Sequence, residues 1–309
     1  MKKLVAASFA FLIVLCFLSA CGSSTTSENA NDKIRITATI GQIADIANHI
    51  GGEHVEVESL MGPGVDPHLY KASQGDIQKL MDADIVFYNG LHLEGKMDEV
   101  FEKISKDKPA IPAAESIPDN QLLGNKANPG LHDPHVWFSI PRWMFVVDTV
   151  EKELSKFQPD LAEEFKKNAE SYKQELKELD EYAREQVETI PKESRVLVTA
   201  HDAFQYFGEE YDVEVMGLQG LSTDSEYGLK DVQELVNALT ERNIKAVFVE
   251  SSISEKSINA VVEGAKEKGH EVSIGGELYS DAMGEAGTEE GTYAGMFRHN
   301  IDTIVSSLK

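Results

Sequence analysis

The chain has 309 residues, with 53 acidic against 29 basic side chains and a formal charge of −24 at pH 7. That balance repels nucleic acid and leaves no basic patch for an anionic substrate, while it attracts cations without choosing among them. The length exceeds what one compact core commonly spans, so two lobes are expected.

In chain order, the first element is not part of the fold. Met1-Lys2-Lys3 is a basic n-region, and the apolar run Leu4 to Leu18 is too short with these flanks for a transmembrane helix. It closes on Leu18-Ser19-Ala20-Cys21, which looks like a bacterial lipobox. Residues 1–20 are therefore expected to be a signal peptide, with the lipid on Cys21 holding the protein to the outer face of the cell membrane. Cys16 leaves with the leader, so the mature chain has no internal disulfide and must rely on its core or on a bound ligand. Residues 21–33 are small and polar, the composition of a flexible tether.

From Ile34 onward strands and helices alternate. "IRITATI" predicts a strand, "IADIANHI" a helix stopped at Gly51-Gly52, "VEVESL" a strand, "DIQKLMDA" a helix, "DIVFYNG" a buried strand and "KMDEVFEKIS" a helix. The later half repeats the pattern with "RVLVTA", "DVQELVNALTERN", "KAVFVES", "SINAVVEGAKEKG" and "EVSIG". Such alternation predicts α/β lobes, each a mainly parallel sheet with flanking helices, over residues 34–158 and 191–309. Between them, residues 159–190 predict one long, rigid linking helix. Leu161, Phe165, Tyr172, Leu176, Leu179 and Tyr182 form its apolar stripe, and Pro159 and Pro191 punctuate it. A single stiff helix should let two lobes hinge less than paired extended strands would.

Nine histidines occur. His49 falls within a predicted helix, His54 follows a helix stop, His270 sits at a helix end, and His92 and His299 lie in polar surroundings that suit solvated or capping roles. Two others share an unusual setting: His68 in "VDPHLY" and His135 in "HDPHVWF" both follow Asp-Pro. Proline fixes its own φ and pushes the preceding residue toward extended geometry, so the imidazole is presented on a stiff approach. His201 ends the apolar strand "RVLVTA", at the carboxyl edge where open α/β sheets bind ligands. Asp281 follows "EVSIGG" at a second such edge. Three imidazoles and one carboxylate make a plausible N3O set for a first-row divalent metal, although their spacing matches no compact metal signature. Glu250, ending "KAVFVE", could orient an imidazole from behind or be a solvated strand-end acid. Trp137 and Phe138 suit either the wall of such a site or the core.

Read together, "LMGPGVDPHLYKASQGDIQKL", "DPHVWF", "TAHDAFQYF", "GLQGLSTDSEYGL", "VFVESS" and "LYSDAMGEAGTEEGTYAGMFRHN" resemble the metal-binding lipoproteins of ABC importers. The resemblance spans nearly the whole mature chain and is strongest to the manganese-binding lipoproteins of Gram-positive bacteria. It implies a solute-binding receptor for a divalent metal, whose four ligands fall on His68, His135, His201 and Asp281. It further implies one divalent ion as transported ligand, a permease and its ATPase as membrane partners, and a monomeric, non-enzymatic protein.

Two details pull in opposite directions on the metal. Many manganese receptors of this kind carry glutamate where this chain has His201, and a three-nitrogen set leans toward zinc. Zinc receptors usually carry a long His-rich loop before the second ligand, whereas "NQLLGNKANPGLHD" is short and nearly free of histidine. Manganese is the expected cargo and zinc the alternative. Two other classes remain: a surface adhesin lipoprotein and a zinc hydrolase. The hydrolase needs a general base and an open coordination position, and the chain carries no His-Glu-x-x-His helix or Gly-x-Ser-x-Gly elbow.

Overall fold

Four short parallel strands build the first half. β1 (Ile34–Ala38) lies between β2 (Val55–Ser59) and β3 (Ile85–Tyr88), and β4 (Ala110–Pro112) extends the sheet beyond β3. Every pairing is parallel, which requires crossovers, and α1 (Gly41–Gly51), α2 (Gln74–Asp82) and α3 (Asp98–Ile104) provide them. The computed structural model describes residues 33–125 and 128–309. The leader, Cys21 and the tether up to Asp32 therefore lie outside the described residues.

Local chemistry sets the helix ends. α1 buries Ile43, Ile46, Ala47 and Ile50 on one face and stops at Gly52, whose φ of 54° is left-handed. Ser73 and Asp76 form a reciprocal capping box that starts α2. Past the predicted elements comes a helix that the reading of the sequence passed over, α4 (Ile140–Phe157), capped by Ser139 with Pro141 in its first turn.

The long helix, α5 (Ala162–Glu188), has 27 residues, a length of about 40 Å. Phe165, Ala169, Tyr172, Leu176, Leu179, Ala183 and Val187 are its buried stripe. Leu161 and Tyr182, also expected there, are only partly buried and pack at its margin. α5 lies against α4, α1 and the C-terminal helix α9 (Tyr293–Leu308).

The second half again alternates: β5 (Val196–His201), α6 (Gln205–Tyr211), β6 (Glu214–Gln219), α7 (Leu229–Arg242), β7 (Ala246–Glu250), α8 (Lys256–Glu267) and β8 (Ser273–Leu278). β5 pairs in parallel with β6, β7 pairs in parallel with β8, and β5 adjoins β7. Alternate residues of these strands serve different cores. Val196, Val198, Val247 and Val249 pack with α7 and α8, while Leu197 and Phe248 join the larger core. That larger core runs without a break from Ile34 through α4 and α5 to Val305. α5 is thus a wall of a core that both halves share. No helix among the described residues is long and apolar enough to cross a membrane.

Candidate metal centre

His68 lies in the loop after β2, His135 in the loop before α4, His201 is the last residue of β5, and Asp281 follows β8. Three of the four thus sit at or beyond the carboxyl ends of parallel strands, where side chains of different strands converge. The structure brings all four together: one ligand atom from each lies within 4.8 Å of the others. Nε2 of His68 is 3.2 Å from Nε2 of His135 and 3.7 Å from Asp281 Oδ2. Nε2 of His135 is 3.4 Å from Asp281 Oδ1, and Nε2 of His201 is 3.3 Å from Asp281 Oδ2. A tetrahedral ion with bonds of about 2.1 Å needs ligand atoms about 3.4 Å apart.

Burial makes the arrangement costly unless a cation shares it. The four residues are at most 3% exposed. Both carboxylate oxygens of Asp281 and Nε2 of His201 are buried without a hydrogen-bond partner. An unsatisfied buried carboxylate is expensive, and a divalent ion is the group that would satisfy all three atoms at once.

Each Asp-Pro-His segment has a common local cause. Asp66 Oδ1 accepts the backbone N–H of His68 at 2.9 Å, and Asp133 Oδ1 accepts that of His135 at 2.9 Å. Both are turns in which an aspartate binds the backbone two residues on, across the intervening proline. Asp133 does more: the same oxygen lies 2.7 Å from Nδ1 of His135. Glu250 repeats this at the other half, its Oε1 accepting the His201 N–H at 2.9 Å and its Oε2 lying 2.5 Å from Nδ1 of His201. A carboxylate against Nδ1 holds the proton there and leaves the Nε2 lone pair free for a metal. Sequence reasoning put forward Glu250 and missed Asp133, although Asp133 lies within the Asp-Pro-His motif itself.

The Asp281 loop is fixed from three sides. Gln42 of α1 donates to the Asp281 carbonyl at 3.3 Å, Trp137 Nε1 donates to the Ser280 carbonyl at 3.0 Å, and Asn300 of α9 bonds both polar backbone groups of Tyr279. Trp137 is both core and wall: it is fully buried, and its ring meets that of His135 edge-on at 5.3 Å. Phe138 is core, stacked on Phe204. A buried Glu94 takes the Thr39 hydroxyl and the N–H groups of Asn89 and Gly90, and the Asn89 amide supports the Pro134 carbonyl beside His135. The remaining histidines find other partners: His54 meets Glu164, His92 Asp98, His132 Asp119, and His270 and His299 the carbonyls of Ile244 and Glu277.

Electrostatics divides the three ligand rings. Burial dominates at His68 and pushes it down to about 3. Burial acts in the same sense on His135, but the carboxylates of Asp133 and Asp281 overcome it and push the ring up to about 9. His201 rises well above the ordinary histidine value against its burial, through Glu250 and Asp281. Asp281 falls well below the carboxylate range despite its burial, because His201, His135 and His68 surround it. Both raised rings hold their second proton more tightly than a free imidazole does, so protons compete with a metal for them.

Two α/β halves on a common core, with a buried ligand set assembled from both, define a two-lobed solute-binding receptor for a small cation. The chain belongs to the family described as "ZnuA: Zinc-uptake complex component A periplasmic", which it matches over residues 36–307. It is 62% identical over 301 residues to the manganese-binding lipoprotein MntA of Bacillus subtilis (strain 168), covering 97% of this chain and 98% of that one. It is 46% identical over 307 residues to the zinc-binding protein TroA of Treponema pallidum (strain Nichols), covering 99% and 98%. The solved structure of the periplasmic zinc-binding protein TroA from Treponema pallidum superimposes with a TM-score of 0.87, covering 89% of this chain and 99% of that chain.

Proposed function

We propose that this protein is a lipid-anchored receptor that captures one manganese ion outside the cell and delivers it to an ABC permease and its ATPase. The observation that carries the reading is the buried His68, His135, His201 and Asp281 set, its ligand atoms within 4.8 Å of one another, in a chain 62% identical to a manganese-binding lipoprotein. Residues 1–20 act as leader, the Cys21 lipid as anchor and residues 21–33 as tether, with lobes at 34–158 and 191–309 on either side of the linking helix. The four ligand residues are at most 3% exposed, so an ion held among them is shut away from a substrate, which suits carriage rather than catalysis.

Zinc is the second reading. The three-imidazole set supports it, because nitrogen-rich sites bind zinc more tightly than manganese in the intrinsic order of affinities. Metal analysis of the protein purified without chelator, followed by competition between manganese and zinc, separates the two. One manganese per chain after growth with both metals supports the first reading, and zinc alone replaces it with the second. The anchor has its own test: Cys21→Ser is expected to move the protein from the membrane to the soluble fraction with unchanged metal affinity.

A further inference from the structure

The two Asp-Pro-His turns use their aspartates differently. Asp133 spends its Oδ1 on the backbone and ring of its own histidine. Asp66 binds the His68 N–H through Oδ1 and turns Oδ2 to the opposite half, where the Thr223 hydroxyl donates to it at 2.6 Å. Thr223 lies in the segment 220–228 between β6 and α7 and is 9% exposed. That segment is tied to the end of β6: the Gln219 side-chain amide donates to the carbonyls of Thr223 at 2.6 Å and Ser225 at 2.5 Å. Gln219 in turn stands opposite His201 in the β5–β6 pairing.

Strand pairing between His201 and Gln219, followed by hydrogen bonds from Gln219 to Thr223, Thr223 to Asp66 and Asp66 to His68, therefore connects two of the ligands from opposite halves. We propose that Thr223 is a positioning residue for the metal centre, holding His68 in register with His201 through Asp66 and so setting how slowly a bound ion leaves. The inference rests on the metal-receptor reading above. Thr223 does not face the ion and adds no ligand. Its hydroxyl fixes a carboxylate whose other oxygen fixes a ligand backbone, and a hydrogen bond to an ionised acceptor is among the stronger ones. A second link between the halves, Lys96 Nζ to Asp224 at 2.8 Å, is exposed on both sides and is not expected to share this role.

The test is the rate at which manganese passes from the loaded full-length protein to excess EDTA, with the melting temperature of the metal-free protein measured alongside. Thr223→Val keeps the shape and removes the donor, and release is expected to accelerate by about tenfold. Thr223→Ser restores the hydroxyl and should return the parental rate. Lys96→Ala should stay within about twofold. Gln219→Leu leaves Thr223 intact but frees its segment, so it should speed release alone and add little to Thr223→Val. Parental release from Thr223→Val, or equally fast release from the serine variant, overturns the inference, as does a Thr223→Val effect confined to the metal-free melting temperature. A parent that takes up no divalent ion overturns the receptor reading as well, so the two failures are distinguishable.

Discussion

At the scale of single residues, the centre depends on carboxylates that never face the ion. Asp133→Asn and Glu250→Gln preserve size and an acceptor oxygen but remove the charge behind Nδ1, and each is expected to lower metal affinity by about 10- to 100-fold. Asp281→Ala removes the one anionic ligand and should cost more than either, as isothermal titration calorimetry would measure. Protons compete with the ion, and the sign follows from the rings. A metal takes only neutral imidazole, while the surrounding carboxylates push His135 up to about 9 and hold His201 well above the ordinary value. Affinity should therefore rise with pH, by about tenfold per unit up to about pH 9 for the proton displaced from His135, and more steeply wherever His201 must also lose one. His68, at about 3, stays neutral throughout and contributes nothing to the slope. Manganese titrations from pH 6 to 9 in a non-chelating buffer check this, and a flat profile would sink the proton-competition account. The three histidines stood out in the sequence because Asp-Pro-His and a strand-end position are local signals, whereas the set of four, Asp281 included, came from the resemblance to metal-binding lipoproteins. Asp133 turning back on its own ring was not legible, since a side-chain rotamer leaves no mark on residue order.

At the scale of elements, α1 and α5 meet through one buried acid. Asp45 Oδ2 accepts the Tyr172 hydroxyl at 2.8 Å and lies 3.3 Å from Nδ1 of His49, whose ring stacks on Tyr172 at 4.3 Å. Burial alone would lower His49, but its bonds to Asp45, aided by Glu175, push it up to about 9. A folded value above the unfolded one of about 6.5 stabilises fully below that pH and is lost as pH climbs toward about 9. Metal-free melting temperatures should therefore fall less steeply from pH 6.5 to 9 in His49→Gln than in the parent. A constant offset between the two would count against the contribution. His49 is 38% exposed at its side chain, so solvent screening keeps the effect small. The long helix was legible because its stripe is periodic and its ends carry prolines. β6 was not: "EVMGLQ" lacks alternation, and Gly217 is there because a Cβ would come within 2.7 Å of the Asp202 backbone. α4 and α9 do carry start signals in the sequence, Ser139 with Pro141 and the Thr292 cap, but neither belongs to the strand–helix alternation that marks the other elements.

For the molecule as a whole, only the folded state assembles ligands from both halves, so the ion should stabilise it. At about a hundredfold excess over Kd the gain is about 2.7 kcal/mol, readable as a rise in melting temperature on adding manganese and its loss with chelator. The ligand order along the chain has a further consequence. His68 stands near the beginning and Asp281 near the end, and the bonds that hold the Asp281 loop reach back to Gln42 and Trp137, 239 and 143 residues away. Contacts so distant in sequence form late, because the intervening chain must first surrender its freedom. A nascent or truncated chain therefore owns imidazoles and carboxylates but no site. The ion cannot template the early steps of folding. It arrives as an inspector, retained by chains that have finished folding and ignored by those that have not.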